Sequence, residues 1–187
     1  MTYPNWFAIS KADVLFERYL THLRDTPCSL LQIGAFVGDA SVWLADNVLT
    51  HELSSLTDVD TWEGSDEDAH RQMSWSNIYD TYKAKVSMRE RISHSRQTSD
   101  NFFAANTETY DFVYVDGDHT EPQVARDADN SWCVLRKGGI IAFDDYVWGP
   151  RRSPELRPQR AIDDFINRHA DDLEVLHVSN QAWIRKI

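Results

Sequence analysis

Apolar residues in this chain change their spacing from one segment to the next, and the spacing predicts alternating helices and strands. Ala12, Leu15, Phe16, Tyr19, Leu20 and Leu23 step by three and four, so Lys11 to Arg24 reads as an amphipathic helix. After Pro27 the short run Ser29 to Ile33 ends in Gly34 and reads as a buried strand, followed by a helix carrying Val42, Trp43 and Leu44. Leu56 to Val59 is a second brief strand. Helical spacing returns over Asp66 to Val86, at Trp75, Ile78, Tyr79, Tyr82 and Val86, and Ile92 to Ser95 forms strand three before a helix bearing Phe102 and Phe103. Tyr110 to Val115 is β-branched and aromatic and stops at Asp116. Thr120-Glu-Pro-Gln123 has the form of a capping box opening a helix to about Cys133, which Gly138-Gly139 breaks. Ile140 to Phe143 is the next strand, Tyr146 to Arg157 a Pro/Arg loop, and Ala161, Ile162, Phe165 and Ile166 mark a last helix. Leu173 to Val178 and Ala182 to Arg185, parted by Ser179-Asn180, close the chain as an antiparallel hairpin.

Strands alternating with helices imply right-handed crossovers and a mostly parallel sheet covered on both faces. Ligands in such sheets bind beyond the carboxyl ends of the strands, where strand order reverses. That rule directs attention to Gly34–Gly38, Asp60–Gly64, Asp116–His119 and Asp144-Asp145. With 187 residues the chain fits a single domain spanning 1–187, with 1–28 a short N-terminal helical segment. Its 19 basic and 30 acidic side chains give −11, which argues against a grip on nucleic acid. Apolar runs of four or five residues fall far short of the ~20 a membrane span needs, and the N-terminus has no secretion signal. Cys28 and Cys133 stand far apart without a CxxC, which excludes a cysteine zinc site and suits a reducing cytoplasm.

Four groups of residues could carry chemistry. In Gln32-Ile-Gly-Ala-Phe-Val-Gly38, Gly34 would let the backbone pass tightly under a ligand and Gly38 would let the next helix approach. Phe36 occupies the position where a dinucleotide fingerprint needs its middle glycine, so a phosphate-free nucleoside is favoured over NAD or FAD. A purely structural turn remains the alternative. Asp60 lies 22 residues beyond Gly38, a spacing that suits ribose hydroxyls, or else an aspartate that starts a loop. Asp116, Asp144 and Asp145 end two strands expected to be neighbours, and carboxylates so close repel unless protonated or bridged by a cation. An all-oxygen set selects Mg²⁺, Mn²⁺ or Ca²⁺, while the chain has no HExxH or His-x₃-His for zinc. The plain alternative has Asp144 and Asp145 capping a turn in water. His119, three residues past Asp116, suits a general base through imidazole's ordinary pKa of ~6.5, or is a surface residue beside Thr120. Arg151, Arg152, Arg157 and Arg160 either clamp an anionic substrate or balance acidic neighbours, and Ser65–Asp68 reads as a solvated helix start. Trp62 and Trp148 follow strand ends and could line a pocket.

At these motifs the chain resembles the class I S-adenosylmethionine-dependent methyltransferases, and within them the small metal-dependent O-methyltransferases of the macrocin and aminocoumarin sugar type. The markers are Ile33–Gly38, Asp60–Ser65, Tyr114–His119, Leu135–Gly139 and Phe143–Tyr146. The resemblance implies an α/β, Rossmann-like seven-stranded sheet, mostly parallel, with helices on both faces and a C-terminal antiparallel hairpin. It implies S-adenosylmethionine as cofactor, held by Gln32, Gly34, Ala35, Gly38, Ser41, Asp60, Thr61, Trp62, Gln97, Thr98 and Asp116. Asp60 would take the ribose, Trp62 would lie beside the adenosine, and Arg96-Gln-Thr98 would approach the adenine. It also implies Mg²⁺ or Mn²⁺ on Asp116, Asp144 and Asp145, with His119 and Asp116 catalytic. Gln32 stands where the family usually ends strand one with an acid, and its amide can still accept from the cofactor's ammonium. The implied activity is methyl transfer to a hydroxyl of a small molecule, without nucleic-acid or membrane partners. The short N-terminal segment would leave the pocket open, or completed by the second subunit of a homodimer. Two alternatives stay open: a catalytically silent nucleoside-binding module of the same fold, and a dinucleotide-dependent oxidoreductase.

Overall fold

The computed structural model describes residues 3–65 and 70–187. Seven strands form one sheet: β1 (Ser29–Ile33), β2 (Ser55–Asp60), β3 (Ile92–Arg96), β4 (Tyr110–Val115), β5 (Leu135–Phe143), β6 (Leu173–Val178) and β7 (Ala182–Lys186). Their order is β3-β2-β1-β4-β5-β7-β6, with β7 antiparallel to both neighbours and every other pairing parallel. The expected α/β architecture and closing hairpin are both present. Order reverses between β1 and β4, which lie side by side with Ile33 opposite Val115. The loops leaving those two strands therefore open onto one crevice.

Helices α1 (Trp6–Ile9), α2 (Ala12–Leu20), α3 (Asp39–Asn47), α4 (Trp75–Val86), α5 (Ser99–Ala105), α6 (Glu121–Val134) and α7 (Gln159–Arg168) surround the sheet. Side chains alternate across the strands. On β4, Phe112 and Tyr114 join Leu30, Ile140, Ala142 and Trp183 under α2 and α3, while Val113 and Val115 join Leu31, Ile141 and Phe143 under α6 and α7. Phe16 of α2 anchors the first layer, with edge-on ring contacts to Phe112, Tyr114 and Trp183 at 5.0–5.5 Å. Among the described residues, no helix is long and apolar enough to cross a membrane.

Three boundaries differ from the sequence expectation. The helix expected from Asp66 begins only at Trp75, after a short 3₁₀ turn at His70–Gln72. Asp66–Ala69, including most of the expected acidic helix start, lie outside the described residues. Gly138-Gly139 does not break a helix, because α6 already ends at Val134, where Lys186 Nζ donates to the carbonyls of Trp132 and Leu135. The glycines lie inside β5, where the register against β4 shifts between Tyr110 and Phe112. Finally, the capping box does not close. Asp118 Oδ1 accepts from the Thr120 N–H at 2.7 Å, and Gln123 turns its amide to Ser99 and Asp127 instead.

Beneath the first crossover, Tyr82 of α4 donates its hydroxyl to Asp58 Oδ2 of β2 at 2.7 Å. Asp58 is fully buried, and desolvation pushes its carboxyl up to about 7 against the pull of the Ser41 and Tyr82 hydroxyls. A free Asp titrates near ~3.9, so the folded chain binds the extra proton. The stability it contributes is complete below about pH 4 and is lost as pH rises through about 7. Urea midpoints should therefore fall more steeply between pH 4 and 7 in the wild type than in Asp58→Asn, and parallel curves would refute this assignment.

Candidate active site

At the carboxyl ends of β1, β2, β4 and β5 lies a cavity of about 650 Å³, within the ~300–1,000 Å³ usual for cofactor and substrate sites. Its floor forms where β1 and β4 part. Gly34, at φ +85°, presses against β4 so closely that a Cβ there would overlap the Asp116 carbonyl oxygen and lie 2.9 Å from Gly117 Cα. This glycine makes room for the neighbouring strand end rather than for a ligand passing over it. Asp60 then fastens the turn. Its Oδ2 accepts from the N–H groups of Ala35 (2.9 Å) and Phe36 (3.0 Å), and its Oδ1 from that of Trp62 (2.7 Å).

The cavity sorts the expected cofactor residues into two groups. Gly34, Asp60, Thr61, Gln97, Thr98 and Asp116 border it. Gln32, Ala35, Gly38, Ser41 and Trp62 do not, and each has a physical reason. Gln32 is buried and internally bonded, its Nε2 donating to Gly34 O at 2.8 Å and its Oε1 accepting from Ser41 Oγ. Its amide is therefore spent on the turn, not offered to an ammonium. Ser41, in the first turn of α3, is likewise buried, and the Ala35 methyl packs with Val37, Ile78 and Tyr82. Gly38 starts α3 against the Tyr82 ring. Trp62, with positive φ, points back into the core, donates Nε1–H to Phe36 O at 2.8 Å and packs on Tyr79, Tyr82 and His94. It braces the turn from below and cannot flank a nucleoside. Arg96 does not border the cavity either; it lies over the Tyr79 ring.

At the opposite end β4 and β5 deliver the acids. Asp144 and Asp145 are consecutive just past the end of β5, and the positive φ of Asp145 (+56°) turns the two side chains apart. Asp144 turns toward the buried layer, where its carboxylate accepts from Tyr114 Oη (2.7 Å), Gln181 Nε2 (2.7 Å) and the Asp145 N–H (2.9 Å). Trp183 Nε1 in turn donates to Gln181 Oε1. Asp145 faces the cavity, with its Oδ2 at 3.1 Å from His119 Nε2, which is also 4.0 Å from Asp116 Oδ1. Trp148 covers the imidazole, ring to ring at 4.7 Å. Asp116, His119 and Asp145 can each present one ligand atom within 4.8 Å of the others. The sequence pattern expected Asp144 as the third ligand; Asp144 borders the cavity too, with its carboxylate bonded to Tyr114 and Gln181, while the potential ligand atoms that lie together are those of Asp116, His119 and Asp145. Burial, then the charges of Asp144 and Asp145, push the Asp116 carboxyl well above its usual range, while His119 pulls it down. A divalent cation would relieve that repulsion, and two carboxylates with an imidazole are a donor set such ions accept.

Several lining residues were not legible as site residues. Trp6 of α1 stacks on Phe36 at 4.6 Å, and Trp6, Ile9 and Ser10 border the cavity together with His70 and Trp75. The N-terminal segment thus supplies a wall that was expected to be missing. Asn180 Nδ2 holds it by donating to Ser10 O. Gln123 and Asp127 of α6 also line the cavity. The arginines of the 151–160 stretch do not. Arg152 stacks on the Trp148 ring and Arg160 pairs with Glu121, in keeping with the solvent-facing alternative.

A family model described as a methyltransferase domain (Methyltransf_24) matches residues 31–146. No curated protein matches the sequence. Among solved structures, the O-methyltransferase TomG of Streptomyces achromogenes, in complex with S-adenosylmethionine, superposes with a TM-score of 0.67 at 14% identity, covering 96% of this chain and 79% of that one. A Clostridium thermocellum protein put forward as an rRNA methylase reaches 0.70 at 14% identity, covering 100% of this chain and 98% of that one. MycE, of the mycinamycin pathway, was crystallised with Mg and S-adenosylhomocysteine and scores 0.64 at 14% identity. This chain spans 51% of MycE's length. At such identities the likeness shows a shared fold.

Proposed function

The chain belongs to the methyltransferase-domain family, and from that premise we propose that it moves the sulfonium methyl of S-adenosylmethionine onto a hydroxyl of a small molecule. The observation that carries this reading is the convergence of Asp116, His119 and Asp145 on the cavity floored by the Gly34 turn. TomG in complex with S-adenosylmethionine and MycE in complex with S-adenosylhomocysteine support the cofactor, and the Mg in MycE supports the ion.

The nucleoside would lie over the β1 turn, with Gln97 and Thr98 at the adenine. Asp60 has committed three acceptor positions to backbone N–H groups, leaving about one for a ribose hydroxyl. Asp116 and Asp145 would hold Mg²⁺ or Mn²⁺. Bound there, the ion would lower the pKa of the acceptor hydroxyl and fix its oxygen. The chain's own residues do the rest. Trp6, Trp75 and Trp148 wall the cavity with aromatic faces that suit a ring-bearing acceptor and exclude water. His119, held by the Asp145 carboxylate, takes the hydroxyl proton as the oxygen–carbon bond forms and the carbon–sulfur bond breaks. The bound cofactor would supply an electrophilic methyl on a neutral thioether leaving group, so alignment of the hydroxyl matters more than an oxyanion hole. The net charge of −11 favours a small acceptor over the nucleic acid of the clostridial neighbour's description.

The 3.1 Å approach of His119 Nε2 to Asp145 also favours a second role, imidazole as third metal ligand. His119→Gln separates the two roles. As a base its loss should lower kcat on the order of 10², with Mn²⁺ affinity by calorimetry unchanged. As a ligand its loss should weaken Mn²⁺ binding in parallel. A fully active variant would exclude both. Colorimetric or isotopic detection of S-adenosylhomocysteine release over a panel of phenol, sugar and polyketide hydroxyls tests the reading as a whole.

A further inference from the structure

Helix α6 brings one more carboxylate to the cavity. Asp127 is only 1% exposed, yet it forms part of the lining, one turn beyond Gln123 and beside the first turn of α5. Gln123 Nε2 lies 3.1 Å from both Asp127 Oδ1 and Ser99 Oγ. Since that amide donates to Ser99 Oγ, the serine proton is left for Asp127, with which Ser99 is hydrogen-bonded. Arg126 donates to Gln123 Oε1 and so fixes which end of the amide faces the aspartate. On the side of β4, Asp127 Oδ2 is 4.0 Å from the position a Cβ would take at Gly117. A side chain at 117 would fill the space between the strand end and the carboxylate.

Tying α5 to α6 does not need a carboxylate; a neutral amide or hydroxyl would do so without the cost of burying a charge. That cost is visible in the group itself, since desolvation pushes it up to about 6. A carboxylate offers about four acceptor positions, and the Ser99 and Gln123 donors use two. What remains is acceptor capacity on Asp127 at the wall of the cavity, since both Gln123 N–H groups are taken by Ser99 and Asp127. Adenine presents the complement in its 6-amino group, which donates; a 6-oxo purine places an acceptor there instead.

We propose that Asp127, held in place by Gln123, forms an aminopurine subsite that accepts from the 6-amino group of the cofactor's adenine. The proposal rests on the S-adenosylmethionine reading above, and its test separates the two. Calorimetric titration of the full chain would compare S-adenosylhomocysteine with S-inosylhomocysteine, its 6-oxo counterpart. The wild type should prefer the adenosyl ligand by roughly 10- to 100-fold, the span of one well-placed base-edge contact. Asp127→Asn keeps the shape and the tie to α5 but offers a donor as well as an acceptor, so most of that preference should vanish. A merely structural Asp127 would weaken both ligands alike and leave the ratio unchanged. Equal binding of the two ligands by the wild type, or full preference in Asp127→Asn, overturns the subsite and leaves the cofactor reading standing. No binding of S-adenosylhomocysteine to the wild type overturns the cofactor reading and the subsite with it. If Asp127→Asn does not fold, Asp127→Ser, whose hydroxyl both donates and accepts, carries the same expectation, and an unchanged ratio there refutes the proposal.

Discussion

Asp145→Ala should lower methyl transfer by about 10³ or more and shift S-adenosylhomocysteine affinity by no more than a few-fold; treatment with EDTA should do the same. The size follows from what one side chain holds together. Asp145 has φ +56°, a costly conformation for a non-glycine residue, and the surroundings enforce it. Its N–H donates to Asp144 Oδ1, its carbonyl accepts from the Trp148 N–H at 2.7 Å, and the next residue's N–H is taken by Asn180 O. So aimed, the carboxylate meets His119 at 3.1 Å and, in the mechanism proposed above, also holds the cation. Removing it takes away the charge stabilisation of an ion, worth several kcal/mol, and disorients the base, itself worth ~10²–10⁴. Cofactor affinity should survive because the turn is tied to β2, the Gly34 N–H to Val59 O and the Ala35 and Phe36 N–H groups to Asp60, and not to Asp145. Turnover that persists in EDTA at the untreated rate would remove the ion from the mechanism. Normal turnover by Asp145→Ala would remove the site.

The parts of this architecture that sequence makes legible are those in which local pattern and tertiary position agree. Leu30 and Leu31 are buried on opposite faces of a parallel strand, so the run of apolar residues around them announces a sheet covered on both sides. Asp116, Asp145 and His119 are legible because strand ends in an open sheet must point at the crevice. The failures have a common cause: side-chain direction is decided by partners far away in sequence. Asp144 and Asp145 look equivalent on paper and both border the cavity, but the left-handed turn at Asp145 leaves Asp144 bonded to Tyr114 and Gln181 and carries Asp145 to His119. Trp62 follows a strand end as Trp148 does, yet a positive φ swings it under the turn while Trp148 stays over His119. Gln123 satisfies a capping box by spacing, and loses that role because Asp127 and Ser99 compete for its amide. The N-terminal wall depends on Trp6 finding Phe36, a contact that no local periodicity encodes.

Gly34→Ala should be the most damaging single methyl added to this chain, costing about 2–6 kcal/mol of a net stability that is ~5–15 kcal/mol in ordinary domains. Two penalties add. An alanine held at φ +85° carries backbone strain of ~1–3 kcal/mol, and its Cβ would meet the Asp116 carbonyl, a backbone atom that cannot rotate away, adding ~1–3 kcal/mol of overpacking. Gly138→Ala supplies the control, because that residue has φ +82° with nothing within 4 Å of its would-be Cβ. It should lose only the strain, so the gap between the two urea midpoints measures the clash alone; equal losses would mean that the β1–β4 approach is not tight. The same clash reaches the chemistry. The only relief open to Gly34→Ala is to push Asp116 and Gly117 away from β1, which moves one acid of the Asp116–His119–Asp145 set relative to the other two. Folded Gly34→Ala should therefore lose both S-adenosylhomocysteine affinity and Mn²⁺ affinity, whereas Asp145→Ala loses only the second, and that contrast tests whether one glycine sets the distance between the nucleoside and the acids.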